Sequence, residues 1–177
     1  MSRRLFLFGL LAALAPGVAR AEHYLDPEEA ARVLFPEADA FTPASAELDP
    51  TAVAAVRARS GMRVRQRRIN SLASHRSEQT IGWVYVDEVI GKHEFITYAV
   101  GIDTSDAVRG VEILDYRETW GGAVREAAWR AQFRGRTASD PLRLEHEIRN
   151  VSGATLSCRN VTDGVRRILA THAVLGR

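Results

Sequence analysis

Cysteine and lysine are the scarcest reactive residues in this chain: its 177 residues contain one of each, Cys158 and Lys92. A single cysteine excludes an internal disulfide, and without a Cys-x-x-Cys-His sequence no c-type haem can be attached. The chain also lacks the Gly-x-Gly-x-x-Gly and Gly-x-x-x-x-Gly-Lys loops of the common nucleotide sites. Stability must therefore come from a packed core, which the 46% hydrophobic composition can supply.

Long hydrophobic runs are also missing. The apolar run from Leu5 to Leu14 has about half of the roughly 20 residues that a membrane span needs. Two arginines precede it and a small-residue segment ending at Ala21 follows it, an order that predicts a secretory signal peptide over residues 1–21. Ser2–Leu7 also resembles the twin-arginine export pattern, so both that route and general secretion stay open. We expect a periplasmic or otherwise exported protein.

The basic balance of the chain comes mostly from this predicted signal. Its removal would take away three Arg and no acidic residue, which turns the formal net charge from +2 to −1. Six arginines do lie between Arg57 and Arg68, but no aromatic residue is interleaved to stack on bases, so we expect no nucleic-acid partner. A solvated rim and a docking patch for an acidic partner both remain open. The five histidines show no ligand spacing, and no metal site is predicted.

Local patterns predict an α+β fold. Asp26-Pro27 and Asp49-Pro50 each place a capping residue before a proline, which predicts two N-terminal helices, and residues 35–48 between them are interpreted as a loop. From Ile81 the hydrophobic period is two, which predicts an antiparallel meander of three strands. These strands comprise Ile81–Val86, Phe95–Ile102 and Val108–Tyr116.

Two helices are predicted after the sheet. Apolar residues at helical spacing from Val124 to Ala131 predict one helix opened by Gly121-Gly122. The final helix should begin near Thr155, with His172 at the edge of its apolar face. Residues 140–150 between these helices fit either a short helix or a strand.

The start of the last helix is the candidate site. Small residues Gly153 and Ala154 leave the backbone uncovered, while Ser152, Thr155 and Ser157 bring hydroxyl groups to the first turn. A helix start with free N–H groups and a positive dipole end favours a phosphate. Taken alone, the same residues fit an ordinary helix cap made by Ser152 or Thr155 equally well.

The segment Ser152-Gly153-Ala154-Thr155-Leu156-Ser157 resembles the flavinylation motif of the covalent FMN-binding domain family. That family includes periplasmic flavin subunits of Rnf-type electron transport complexes and of the sodium-translocating NADH:quinone reductase. Upstream, Glu118-Thr119-Trp120-Gly121-Gly122 resembles the family's Glu-Thr-x-Gly loop, and Phe133-Arg134-Gly135-Arg136 its Phe-x-Gly-Lys-like stretch. The resemblance covers residues 80–174 in the family's order.

This resemblance implies a cofactor, a maturation partner and a set of site residues. FMN would be linked through its phosphate to the Thr155 hydroxyl by a flavin transferase. The phosphate nest would consist of Ser152, Gly153, Ala154 and Ser157, and the facing loop of Glu118, Thr119 and Gly121. The implied domain division is a signal peptide at 1–21, a helical N-terminal extension at 22–79 and an FMN-binding domain at 80–177, with the flavin site at the start of the last helix.

The implied function is electron transfer with a redox protein or a membrane electron-transport complex, rather than catalysis on a substrate of its own. Three alternatives stay open. The domain could be a sensory or regulatory module that holds flavin, a flavin-dependent reductase of a small acceptor, or a structural domain without cofactor.

Overall fold

A computed structural model describes residues 22–23, 25–118 and 121–177. The predicted signal peptide, Thr119 and Trp120 lie outside the described residues. Within the described part, no helix is both long enough and apolar enough to cross a membrane.

The helices are α1 (Pro27–Leu34), α2 (Pro50–Ser60), α3 (Ala127–Arg130) and α4 (Thr155–Leu175). The first two begin where their capping residues predict. The Asp26 and Asp49 carboxylates accept hydrogen bonds from backbone N–H groups of the first turns of α1 and α2, which satisfies donors that have no partner within the helix. Gly61 ends α2 in the left-handed conformation, with a φ of 68°. Both predicted N-terminal helices are confirmed.

A single antiparallel sheet forms the centre of the fold. Its strands are β1 (Glu22–His23), β2 (Ala40–Pro43), β3 (Ala46–Glu47), β4 (Arg68–Arg76), β5 (Gln79–Ile90), β6 (Phe95–Asp103) and β7 (Val108–Tyr116). Their spatial order is β1-β7-β6-β5-β4-β2, and β3 also pairs with β4. The predicted three-strand meander is β5–β6–β7, and the α+β class is confirmed.

The N-terminal region differs from its prediction. The interpretation of residues 35–48 as a loop is wrong, because β2 and β3 lie there and pair with β4. The segment 22–79, predicted as a helical N-terminal extension, also contains β4, which pairs with β5. The buried residues of β4 include Ser71, Ala73 and Ser74. Because these residues are small or polar, the sequence lacks the hydrophobic pattern that would predict a buried strand.

The predicted helix after Gly121-Gly122 is broken into three short pieces. Residues 122–125 and 131–133 form 3₁₀ turns on either side of α3. Glu126 has an extended backbone (φ −67°, ψ 125°) and interrupts the helical hydrogen bonds. The buried residues are Val124, Trp129 and Phe133, whereas the alanines used for the prediction are exposed. Residues 140–150 form turns closed by one bridge between Leu144 and Ile148.

Helices cover both faces of the sheet. On one face, Ala30, Leu34 and Phe35 of the α1 region pack on Val84 and Ala99. On the other face, α4 forms the larger core with β5, β6 and β7. Burying apolar side chains on both faces holds α4, and with it Thr155, in a fixed place on the sheet.

The contact between α4 and β6 is unusually close at Gly164. A Cβ atom at this position would lie 2.0 Å from the Tyr98 hydroxyl oxygen. That hydroxyl donates a hydrogen bond to the Asp87 carboxylate, 3.0 Å away, and Asp87 also pairs with the buried Arg167 of α4. His172, predicted at the edge of the apolar face, is instead buried between Tyr85 and Asp106, with which it forms hydrogen bonds.

Candidate functional site

The first turn of α4 has the form predicted for a phosphate site. Ala154 is the residue that precedes the helix, and no side chain caps the helix start, so the alternative of a cap by Ser152 or Thr155 is not found. Gly153 has a φ of +81°, and no atom lies within 4 Å of the position of a Cβ. The helix therefore presents uncapped N–H groups and its positive dipole end beside open space.

These residues line an open cavity of about 230 Å³. Thr155, Ser157, Gly153 and Ala154 form one side of it, and Gly121 of the upstream loop forms another. Five of the eight predicted site residues thus lie on one cavity, although 36 positions separate Gly121 from Ser157. Ser152 is exposed next to this group, and Thr119 lies outside the described residues.

Gly121 brings the upstream loop against the helix start. Its φ is +84°, and a Cβ there would lie 3.1 Å from the Ser157 hydroxyl oxygen and 3.5 Å from the Ala154 Cα. A larger residue would both strain the backbone and push the two segments apart. The two stretches on which the family resemblance rests are therefore in direct contact.

Glu118 lies in a different place from the one its predicted role suggests. Its carboxylate is buried beneath the β5–β6 turn, residues 91–94, where one oxygen accepts hydrogen bonds from the backbone N–H groups of His93 and Glu94. A Cβ on Gly91 would lie 2.5 Å from that oxygen, so glycine is needed for the approach. Glu118 thus holds the turn and is not among the residues that line the cavity.

Burial raises the pKa of Glu118, but hydrogen bonds from the turn's backbone N–H groups outweigh it and hold the pKa below the usual 4.5. The carboxylate is therefore ionised at neutral pH. On the other side of the turn, the Asn160 side chain of α4 donates a hydrogen bond to the Ile90 carbonyl at 2.7 Å. We call this pair of contacts the Glu118–Asn160 clamp, and it ties the turn to α4.

We expect the clamp to weaken in acid. Because folding lowers the pKa of Glu118, its stabilisation is present above the ordinary carboxyl pKa of 4.5 and is lost as pH falls through the lowered value. Amide hydrogen exchange, corrected for intrinsic rates, should show His93 and Glu94 losing protection in that range. In Glu118→Gln their protection should be about tenfold lower at neutral pH and insensitive to acid. The same acid response in both proteins would contradict this assignment.

Lys92 is a cavity residue that sequence reasoning missed. The clamped turn places it on the same cavity as Thr155. Its side chain is exposed and has no hydrogen bond or ion pair within the described part of the chain. A signal was present, because this is the one lysine of an arginine-rich chain and it follows a glycine in a predicted turn.

Asn150 is the second missed residue. Its side-chain amide donates a hydrogen bond to the Thr155 hydroxyl oxygen at 3.1 Å and another to Glu145 at 3.2 Å. Its carbonyl oxygen is buried and has no partner among the described residues. No local sequence pattern signals this contact.

The residues present fit the phosphate of a flavin mononucleotide. An uncapped helix start, a glycine with open space beside it and a lysine face one cavity, and an orphaned polar atom lies next to the hydroxyl that would be linked. The helix start, the open position beside the glycine and the lysine favour an anionic ligand, whereas the unpaired Asn150 carbonyl oxygen is an acceptor that calls for a hydrogen-bond donor.

Cys158 lies one turn into α4 and is buried. Burial raises the pKa of its thiol, which keeps it protonated and unreactive. Cys158 is therefore a small packing residue of the core. Among the described residues, no group of three or more His, Cys, Asp or Glu side chains is placed to hold a metal ion.

Comparison with known families agrees with the site. No curated protein matches the chain. Residues 91–170 match the model of the FMN-binding domain family, a range that begins at Gly91 of the clamped turn and contains Thr155. Residues 91–170 of this chain therefore form an FMN-binding domain, whose cofactor is FMN.

Proposed function

We propose that the protein is an exported electron-transfer flavoprotein that carries FMN in phosphoester linkage to Thr155. The observation that carries the proposal is the position of this hydroxyl. It lies at the uncapped start of a helix and on a cavity with the single lysine, within an FMN-binding domain.

The linkage balances as a group transfer. FMN alone would need to lose water, which is unfavourable in aqueous solution, so the donor must be activated, as FMN is within FAD. The Thr155 oxygen would attack the phosphorus atom on the flavin side of FAD, forming one P–O bond while the bond to AMP breaks. AMP leaves, the hydroxyl proton passes to a base of the flavin transferase, and no electrons are exchanged.

The chain's own residues would prepare Thr155 for this reaction. Because the Thr155 oxygen already accepts a hydrogen bond from Asn150, its proton must point away from that amide. The N–H groups of the first turn of α4 would bind the phosphate oxygens. Glu145 accepts a bond from the same amide and so fixes its orientation.

A covalent bond suits an exported cofactor protein. It keeps the flavin at high effective concentration, so that dilution outside the cell cannot remove it. Bound FMN supplies reversible one- and two-electron redox chemistry. Lys92 is the one titratable side chain among the described residues that line the cavity, which supports electron transfer over acid–base catalysis on a substrate. Its electron donor and acceptor would be a redox protein or a membrane electron-transport complex.

Intact-mass analysis of protein produced with a flavin transferase tests the proposal. We expect the mass of the chain plus one FMN less one water, fluorescence that survives denaturing electrophoresis, and the label on the peptide that contains Thr155. The same spectrum reports whether residues 1–21 have been removed. An unmodified mass would contradict covalent attachment, and colour lost on denaturation would indicate FMN held without a bond.

Reoxidation kinetics test the electron-transfer role. After photoreduction, the protein should pass electrons rapidly to a quinone or a haem protein. Steady turnover with a soluble small acceptor and no protein partner would indicate a reductase instead, and slow exchange with every acceptor would indicate a sensory module.

A further inference from the structure

We propose that Lys92 is the cationic contact of the cofactor phosphate, and that Glu118 and Asn160 are positioning residues that fix its place through the β5–β6 turn. The assignment deepens the proposed function and rests on it for the identity of the ligand.

The position of Lys92 follows from the clamp. The buried Glu118 carboxylate binds two consecutive N–H groups of the turn, and Asn160 binds the carbonyl group that leads into it. Asn160 lies five residues after Thr155 on α4. The turn is therefore anchored to the helix whose start carries the linkage site, and the backbone of Lys92 cannot drift away from the cavity.

The charge of Lys92 is available for a ligand. Arg130, Arg166 and Arg167 are each paired with an acidic side chain, whereas Lys92 has no such partner in the described part of the chain. Lys92 and the first turn of α4, which carries the positive end of the helix dipole, line the same cavity. Two positive features that converge on one space repel each other, and an anion between them turns that repulsion into attraction.

The chemistry of lysine suits a linked phosphate. A phosphodiester retains one negative charge on its two free oxygens, and the helix N–H groups can satisfy these oxygens only from one side. The lysine ammonium group is a compact charge with three N–H donors on a flexible side chain, so it can contact the phosphate both before and after linkage. Free phosphate would present the same chemistry, so the test must separate the contribution of the phosphate group to binding from that of the rest of the nucleotide.

Binding of free FMN and of riboflavin makes that separation, because the two differ only in the phosphate. Fluorescence quenching should show the unmodified wild-type protein binding FMN about tenfold more tightly than riboflavin. In Lys92→Gln the ratio should approach one, and in Lys92→Arg it should be retained. Arg159→Gln is the matched control: it removes one exposed cation of α4 that has no ion-pair partner in the described part of the chain and does not line the cavity, so the ratio should stay at the wild-type value. A wild-type ratio near one, or equal ratios in Lys92→Gln and Arg159→Gln, would overturn the assignment.

Attachment from FAD by the transferase gives a second readout. Lys92→Gln should slow attachment about tenfold and remove most of its salt dependence, and Glu118→Gln should slow it less while Lys92 is still present. Wild-type protein that acquires no flavin would contradict the proposed function, yet the FMN-to-riboflavin ratio would still test Lys92. Wild-type protein that acquires flavin no faster than Lys92→Gln would overturn the role of Lys92 alone.

Discussion

Thr155→Val protein is expected to acquire no covalent flavin when it is produced with the flavin transferase and FAD. Valine keeps the shape of threonine but has no hydroxyl group to bond to phosphorus. The fold should not suffer, since among the described residues the Thr155 hydroxyl takes part in one hydrogen bond, the 3.1 Å bond donated by Asn150, whose loss costs about 1 kcal/mol. Intact-mass analysis and a thermal melt would show complete loss of the modification with little change in Tm.

Thr155→Ser is the matched control for this prediction. Serine retains the oxygen at the same backbone position and should accept the cofactor, more slowly because its χ1 angle is less restricted. If the valine protein carried flavin at the wild-type level, the linkage would be elsewhere, and the other hydroxyl groups of the segment, on Ser152 and Ser157, would be the next to replace.

Gly164→Ala is expected to destabilise the fold, although alanine is normally the better helix residue by about 1 kcal/mol. The added methyl group would lie 2.0 Å from the Tyr98 hydroxyl oxygen, and Tyr98 is fully buried. Relieving that overlap costs about 1–3 kcal/mol, and displacing the hydroxyl from the Asp87 carboxylate costs about 1.5–3 kcal/mol more. We expect a net loss of about 1.5–5 kcal/mol in the free energy of unfolding, measured by denaturant titration.

The double variant Gly164→Ala/Tyr98→Phe checks the cause. Removing the hydroxyl removes the closest of the overlapping atoms, so the alanine should cost clearly less in the phenylalanine background than in the wild type. A Gly164→Ala protein that is about 1 kcal/mol more stable than the wild type would mean that α4 does not lie as close to β6 as described.

Much of the fold could be predicted because its signals are local. Asp26 and Asp49 cap helices through bonds within one turn, and the strands of the meander alternate apolar and polar residues. The strand β4 could not be found in this way, because its buried residues include Ser71, which pairs with β5, and Ser74, which pairs with β2 and β5, and neither is hydrophobic. The helix predicted from Val124 to Ala131 failed because Glu126 leaves the helical conformation and exposes the alanines.

The candidate site was likewise predicted where its residues are neighbours in the sequence and missed where folding brings separate segments together. Thr155 and the residues around it were predicted because they are contiguous. That Gly121 touches the same helix start was implied by family resemblance and agrees with the structure. Lys92 and Asn150 were missed, since their relation to Thr155 depends on how separate segments meet in space. Glu118 was predicted to face the cofactor but contacts the turn backbone at residues 93–94 instead, a tertiary feature that no sequence pattern reveals.

Gly121 contacts Ser157, and Glu118 contacts the turn before β6. The site is therefore complete only in the folded protein. A hexapeptide copied from positions 152–157 onto another protein would supply the hydroxyl group without the walls that surround it here. A chain still threaded through a translocation channel would likewise offer no surface for the modifying enzyme. The amount of flavin that stays bound on denaturation would therefore measure only the protein that had folded before it met the enzyme.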